Sequence, residues 1–342
     1  MRQAWLTVLA LALAAASVSV RAEEEVDPYD QSKIPIEVDA TDPNAIKIVM
    51  IAGPISHGPG DHEHMAGYVL LSHMLTQTNP KVFPVFVKDG WPKNERIFEG
   101  AKVIACYSDG RGGHPLVQEN GRRLDVLQKY IDQGVGFVCL HYAVDYNPKP
   151  NEGERVQKWL GGYYDVRISI NPFWVADYKE LPDHPICRGV KPFKQNDEWY
   201  YNMNFLPDAK GLTRILQAVP PDGTRGTADA KKYPGRAETT AWAYERPDGG
   251  RSFGFTGGHS HKFWANDDYR RLVTNAFLWA AKVEIPPAGA KVDLDPKDLK
   301  SNLDFKGMDV GSQVKMRNEV KALRARAAEL EKENAELKAK AK

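Results

Sequence analysis

The sequence predicts an α/β fold: a doubly wound, mostly parallel sheet followed by a C-terminal helical coiled-coil tail. Three observations predict it. Apolar runs such as IKIVMIA (46–52) and VGFVCL (135–140) are continuous rather than alternating, as strands covered on both faces are. Helix-length segments separate these runs, which is the pattern of βαβ units. Near the C-terminus, leucines recur at heptad spacing among charges.

The elements follow in chain order. Ile46 to Ala52 is the first strand, and a helix from Asp61 to Thr76 follows with Asp61 as its N-cap. Val82 to Val87 and Ala101 to Tyr107 are the second and third strands. Val117 to Gln133 reads as a helix, with Leu124, Leu127 and Ile131 on one face and Gly134 as its C′ residue. Val135 to Leu140 is the fourth strand. Later strands fall at Thr213–Val219, Glu238–Glu245 and Arg251–Thr256, and a closing helix spans Asp267 to Lys282.

Composition bounds the function. The 342 residues suffice for one large or two small domains. Apolar residues make up 42% and charged residues 27%, which excludes a disordered, collagen-like or multi-span membrane chain. The net charge is +1, and −1 once Arg2 and Arg21 of residues 1–22 are set aside, so no electrostatic footprint for nucleic acid exists. Three cysteines are too few for a disulfide scaffold. Cys106 and Cys139 sit in apolar strands and read as buried small residues.

The two ends differ from the middle. Residues 1–22 read as a signal peptide: Arg2, an alanine-rich apolar stretch from Trp5 to Val20, then Val20-Arg21-Ala22 as a cleavage site. The stretch is short of the roughly 20 residues that a span needs, so export to the periplasm or the extracellular space is expected, with no membrane span after cleavage. The folded domain is expected over 45–286, a polar linker over 287–312 and the coiled coil over 313–342. In the tail, Val320, Ala327 and Asn334 take position a, and Leu323, Leu330 and Leu337 take position d. Opposite charges then meet across a parallel pair, so a homodimer through residues 313–342 is expected.

Ligands of doubly wound sheets bind at the carboxyl ends of the strands. Seven of the nine histidines lie there: His57, His62 and His64 after the first strand, His114 after the third, His141 after the fourth, His259 and His261 after a late one. Imidazole serves as metal ligand, as acid or base near neutral pH, and as a hydrogen-bond partner of substrate oxygens. His141 is the sharpest, one residue past an apolar strand where such folds place a reactive group. In NDEWYYN (196–202), Asp197 and Glu198 supply carboxylates that can orient imidazole or bind a cation. Trp91, Trp174, Trp199 and Trp264 lie near these loops, where aromatic faces suit sugar rings, although tryptophan commonly serves only as core. His73 and His184 read as structural. SDGRGG (108–113) lacks a nucleotide-binding pattern, and Ser260 lacks a GxSxG frame.

Four segments in order carry a resemblance: GVGFVCLHYA (134–143), DHPICRGVKPFKQNDEWY (183–200), AWAYERPDGGRSFGFTGGHSHKFW (241–264) and NAFLWAA (275–281), joined by HGPGDHEH (57–64). They resemble the ThuA-like family, linked to trehalose utilisation, over roughly residues 45–286. The resemblance implies a class I glutamine amidotransferase-like, flavodoxin-like sheet. It does not imply amidotransferase chemistry, because those enzymes carry Cys where this chain has His141. It implies a role in carbohydrate breakdown, with a disaccharide or 3-keto-glycoside as substrate and hydrolysis, elimination or isomerisation as reaction. On that reading His141, Glu198 and His259 are catalytic, and His57, His62, His64, Asp197, Trp199 and His261 bind substrate. A divalent ion, if used, would sit on His57, His64, His141 and His259. The rival expectation is a carbohydrate-binding or scaffold protein without turnover, dimerised by its tail.

Overall fold

The computed structural model describes residues 27–207 and 210–306, and within 319–334 all but 321, 324 and 333. Residues 1–22, expected to direct export, lie outside the described residues. Four strands open the fold: β1 (Ile46–Ala52), β2 (Val82–Val87), β3 (Val103–Tyr107) and β4 (Gly136–Leu140). Around them run helices α1 (His64–Thr78), α2 (Arg122–Ile131) and α3 (Gly153–Leu160). Four short strands follow, β5 (Gly162–Tyr163), β6 (Trp174–Tyr178), β7 (Phe193–Asp197) and β8 (Asn204–Phe205), then β9 (Leu212–Ala218), β10 (Glu238–Glu245), β11 (Arg251–Phe255) and helix α4 (Asp267–Ala280).

The main sheet has seven strands in the order β2-β1-β3-β4-β11-β10-β9. Its β2, β1, β3, β4 and β11 pair in parallel, and β10 runs antiparallel to both neighbours. This is the expected mostly parallel α/β sheet. Alternate side chains explain why the inner strands β1, β3 and β4 carry apolar residues on both faces, Lys47 of β1 apart. In β1, Ile48, Met50 and Ala52 join one core with Tyr68 and Leu71 of α1 and Phe277 and Leu278 of α4. Val49 and Ile51 join the other, with Leu124 and Leu127 of α2 and Trp159 of α3. Cys106 and Cys139 fall in the second core, buried and unpaired.

The chain leaves β1 for β2 on one side and returns to β3 on the other. The carboxyl ends of β1 and β3 therefore flank a switch point, where a crevice opens. The two exits touch: Gly53 N–H donates to the Tyr107 carbonyl at 2.9 Å, and a Cβ at Gly53 would lie 2.6 Å from that of Ser108.

Three expectations shift. Helix α1 starts at His64 rather than Asp61, because Asp61 instead bridges to Ser260 and accepts its hydroxyl at 2.7 Å. Residues 117–121 form short 3-10 turns broken by left-handed Asn120 and Gly121, so α2 begins at Arg122. Residues 287–306, read as polar linker, pack on the domain. The Ala290 N–H and the Val292 carbonyl satisfy buried Asn275 and Arg270 of α4, an anchoring that polarity alone does not reveal. The antiparallel β6–β7 hairpin is new, since its polar β7 (FKQND) gives no strand pattern. The described tail residues are helical, with Leu323 and Leu330 exposed. Among the described residues, no helix is long and apolar enough to cross a membrane.

Candidate functional site

The exits of β1, β3, β4 and β11 converge, and β7 brings Glu198 across them. His141, the residue after β4, has φ 54°, a left-handed conformation that a side chain rarely adopts and that functional sites retain. His57 and His62 share that geometry, at φ 57° and 50°. The buried His141 ring lies with Nδ1 2.9 Å from the Thr256 carbonyl, which fixes its proton there. His62 Nδ1 is 2.7 Å from Asp109 Oδ1, which does the same for the second ring. With both Nδ1 protons committed, two Nε2 lone pairs face each other across 3.1 Å.

His259 and Glu198 close the group. His259 Nδ1 lies 3.2 Å from His62 Nε2 and 3.0 Å from Glu198 Oε2, and Glu198 Oε2 is 3.6 Å from His141 Nε2. Asn171 donates to the other Glu198 oxygen at 3.0 Å, which aims Oε2 inward. The Tyr200 hydroxyl stands beside both, 3.4 Å from His141 Nε2 and 3.3 Å from Glu198 Oε2. Three ring nitrogens and one carboxylate oxygen thus converge within 4.8 Å of one another. Donor atoms about 2.1 Å from a tetrahedral ion stand roughly 3.4 Å apart. Four of the six donor pairs stand 3.0–3.6 Å apart, near that value, so this donor set suits a borderline divalent cation such as zinc.

Electrostatics agree for two of the three rings. Burial lowers the pKa values of His62 and His141, so neither readily takes the proton that would relieve the facing lone pairs. Burial also opposes charge on His259, but its hydrogen bond to Glu198 and the nearby Glu198 and Asp61 charges outweigh it and raise the pKa. Burial pushes Asp109 up, and the bond to His62 together with nearby imidazoles overrides it and brings the group to about 2.

The expected site residues part company here. His141, Glu198 and His259 come together, joined by His62, which was expected only to touch substrate. His57 and His64 do not join this set. His57 is exposed and stacks on His62 with ring centroids 3.5 Å apart, forming a second group with His62 and Asp109. His64 is buried at the start of α1 with its Nε2 3.9 Å from Asp109, and burial lowers it to about 3. The atoms that converge are those of His62, His141, His259 and Glu198, whereas the expected set of His57, His64, His141 and His259 is not brought together.

Three further residues expected to bind substrate are enclosed. Asp197 accepts N–H bonds from Gly258 at 2.7 Å, Glu198 at 2.8 Å and His259 at 3.2 Å, and the Tyr269 hydroxyl at 3.2 Å. It positions the backbone of two cluster residues, and burial raises it to about 7 against those bonds. Gly258 needs its φ of +110° to make this turn. Trp199 is fully buried and donates to the Gln195 carbonyl at 3.0 Å. His261 is buried too, outside the cluster. His114 is structural, accepting from the Leu116 N–H at 3.2 Å and bonding the Ala143 carbonyl at 3.0 Å.

Sequence reasoning missed Asp109, Asp61, Asn171, Phe173 and Tyr200. Asp109 sits two residues past β3, and the strand-end rule that found the histidines also reaches it. Asn171 and Phe173 carry no such signal, because they arrive through the unforeseen hairpin. Phe173 lies against His259, ring centroids 4.9 Å apart.

No curated protein matches the chain. Similar solved structures include a ThuA-like protein from Bacteroides uniformis, 17% identical, covering 70% of this chain and 93% of that one at a TM-score of 0.48. Another is a cytoplasmic protein from Salmonella typhimurium, 12% identical, covering 70% and 97% at 0.40. The sequence profile of the ThuA family, described as trehalose utilisation, matches residues 70–280. That span holds more than half of the chain and includes His141, Glu198 and His259 of the cluster, with His62 just upstream; the protein belongs to the ThuA family.

Proposed function

We propose that the protein is an exported enzyme of carbohydrate breakdown that acts on a 3-keto-glycoside with a divalent cation held by His62, His141, Glu198 and His259. One observation carries the reading: two buried imidazoles whose Nδ1 protons are committed aim their Nε2 lone pairs at one point. Such an arrangement is repulsive without a positive species between the rings, and burial disfavours a proton on either ring. Family membership supports the carbohydrate substrate.

The cation would polarise the ketone oxygen of a bound keto-sugar as a Lewis acid. This chain's residues do the rest. Asp109 and the Thr256 carbonyl hold the His62 and His141 rings in one tautomer, and Asn171 holds the Glu198 carboxylate. His57, whose ring reaches solvent beside Asp109, takes the proton from the carbon next to the ketone. The resulting electron pair expels the glycosidic oxygen from the adjacent carbon. The C–H bond breaks as an N–H bond forms on His57, a C=C bond forms between the two carbons as the glycosidic C–O breaks, and the expelled sugar oxygen takes up that proton, from His57 directly or through water, which restores the neutral imidazole.

Elemental analysis of the purified mature protein tests the reading, beside a His141→Ala, His259→Ala double variant. Near-stoichiometric divalent metal in the wild type, lost in the variant, together with cleavage of 3-ketotrehalose, is expected. A metal-free wild type after incubation with zinc, manganese and cobalt, with unchanged turnover in the variant, overturns it.

A further inference from the structure

We propose that Phe173 is the platform on which the substrate ring lies, and that this platform selects an uncharged pyranose. The inference rests on the carbohydrate reading above and assigns its substrate-binding surface. Of the tryptophans near these loops, Trp174, Trp199 and Trp264 are buried in the core, 4%, 0% and 1% exposed. Trp91 packs on Phe98 and is bonded to Glu95. The exposed aromatic at the cluster is Phe173, 52% accessible although it contacts His259. That contact is T-shaped, with the planes at 82°, so at least one phenyl face is left free.

The backbone holds this ring in place. Phe173 immediately precedes β6, whose first residue, Trp174, pairs with Asp197 on β7. The hairpin therefore sets Phe173 across from Glu198. Trp174 anchors the position, its indole N–H donating to the Trp199 carbonyl at 3.0 Å, and Asn171 ties the approach to Glu198 itself. A phenyl face beside converging polar atoms matches the two-sided chemistry of a pyranose, which presents axial C–H groups on one face and hydroxyls around its edge.

Charge selects against other rings. Asp61, Asp109 and Glu198 surround the cluster. The nearby guanidinium of Arg111 is committed to Asp145 at 2.7 Å. A sugar phosphate or uronate would meet these carboxylates, and among the described residues the arginine beside them is already paired with Asp145.

Calorimetric titration of the mature protein with trehalose and with 3-ketotrehalose tests the platform, alongside elemental metal analysis. Phe173→Ala is expected to weaken binding of both sugars about tenfold, with metal content unchanged and with Phe173→Trp restoring affinity. Glucose 6-phosphate is expected to bind more weakly than glucose to the wild type. Equal sugar affinity in wild type and Phe173→Ala overturns the platform and leaves the cation-assisted reading standing. Weaker sugar binding accompanied by loss of metal also overturns it, because Phe173 would then act only by packing on His259. Metal binding by a wild type that takes up neither sugar overturns both the platform and the carbohydrate reading, while the cluster remains a metal site.

Discussion

Lys306 and Glu63 form an ion pair with N···O at 3.4 Å, and both side chains are almost wholly buried. Glu63 stands between His62 and His64. Its carboxylate also accepts the Gly60 N–H at 2.9 Å and the Asp304 N–H at 2.6 Å, while the Lys306 ammonium bonds the Asp61 carbonyl. The N-terminal segment joins the same knot: Leu303 N–H reaches the Pro28 carbonyl at 2.8 Å, and Tyr29 packs edge-on against Phe305. The far end of the domain thus clamps the loop that carries His62. Lys306→Met should destabilise the protein by about 3 kcal/mol, because it leaves a carboxylate buried without its cation. The double variant Glu63→Gln, Lys306→Met should be milder than Lys306→Met alone. Urea unfolding of all three proteins checks the order.

Asp109 holds His62 without joining the four-residue cluster. Asp109→Asn should keep the fold and lower metal affinity by about 10–100-fold, the usual cost of removing a carboxylate behind a ligating imidazole. Competition with a chromophoric chelator measures it. An unchanged affinity would remove Asp109 from the positioning role.

Acid should destabilise the protein partly through His114. Burial first, against a bond to the Ala143 carbonyl, lowers its pKa to about 4 from the ordinary 6.5. The folded state keeps the ring neutral while the unfolded chain takes up a proton below 6.5. Stability is therefore retained above pH 6.5 and lost as pH falls toward 4. From pH 7.5 to 5.0 this one group contributes a loss of at most about 2 kcal/mol. His114→Asn keeps an acceptor for the Leu116 N–H and does not titrate. Its unfolding free energy should be lower at pH 7.5 and should fall less on acidification than that of the wild type.

We propose that the tail pairs with that of a second copy. Leu323 and Leu330, seven residues apart on a helical segment, are 70% and 48% exposed. Light scattering should give a dimer for the wild type, weakening on dilution, and a monomer for Leu323→Asp, Leu330→Asp. A monomeric wild type at all concentrations would remove the coiled coil.

The main sheet was readable because its strands obey a local rule. Buried on both faces, β1, β3 and β4 are apolar on both faces apart from Lys47 near the start of β1, and β1 and β2 stand at the residues their composition marks. The hairpin of β6 and β7 was not readable. Its β7 strand is polar, and only pairing with β6 makes it a strand. Strand-end position likewise identified His141 and His259, but could not separate His62 from His57 and His64 a few residues away. That choice depends on which imidazole meets Asp109 squarely and which is swallowed by α1, and both are outcomes of packing.

By itself, then, the sequence determined the α/β architecture and the end of the sheet at which histidines gather. Hydrophobic periodicity and strand order act through neighbours along the chain. The tertiary structure alone decided which atoms converge. The Nδ1 partners of His62 and His141 come from Asp109 and Thr256, and Asn171, which orients Glu198, arrives through a hairpin. Directional bonds between residues so distant in sequence leave no periodic trace in it, because each depends on a side-chain direction that exists only once the surrounding core has packed.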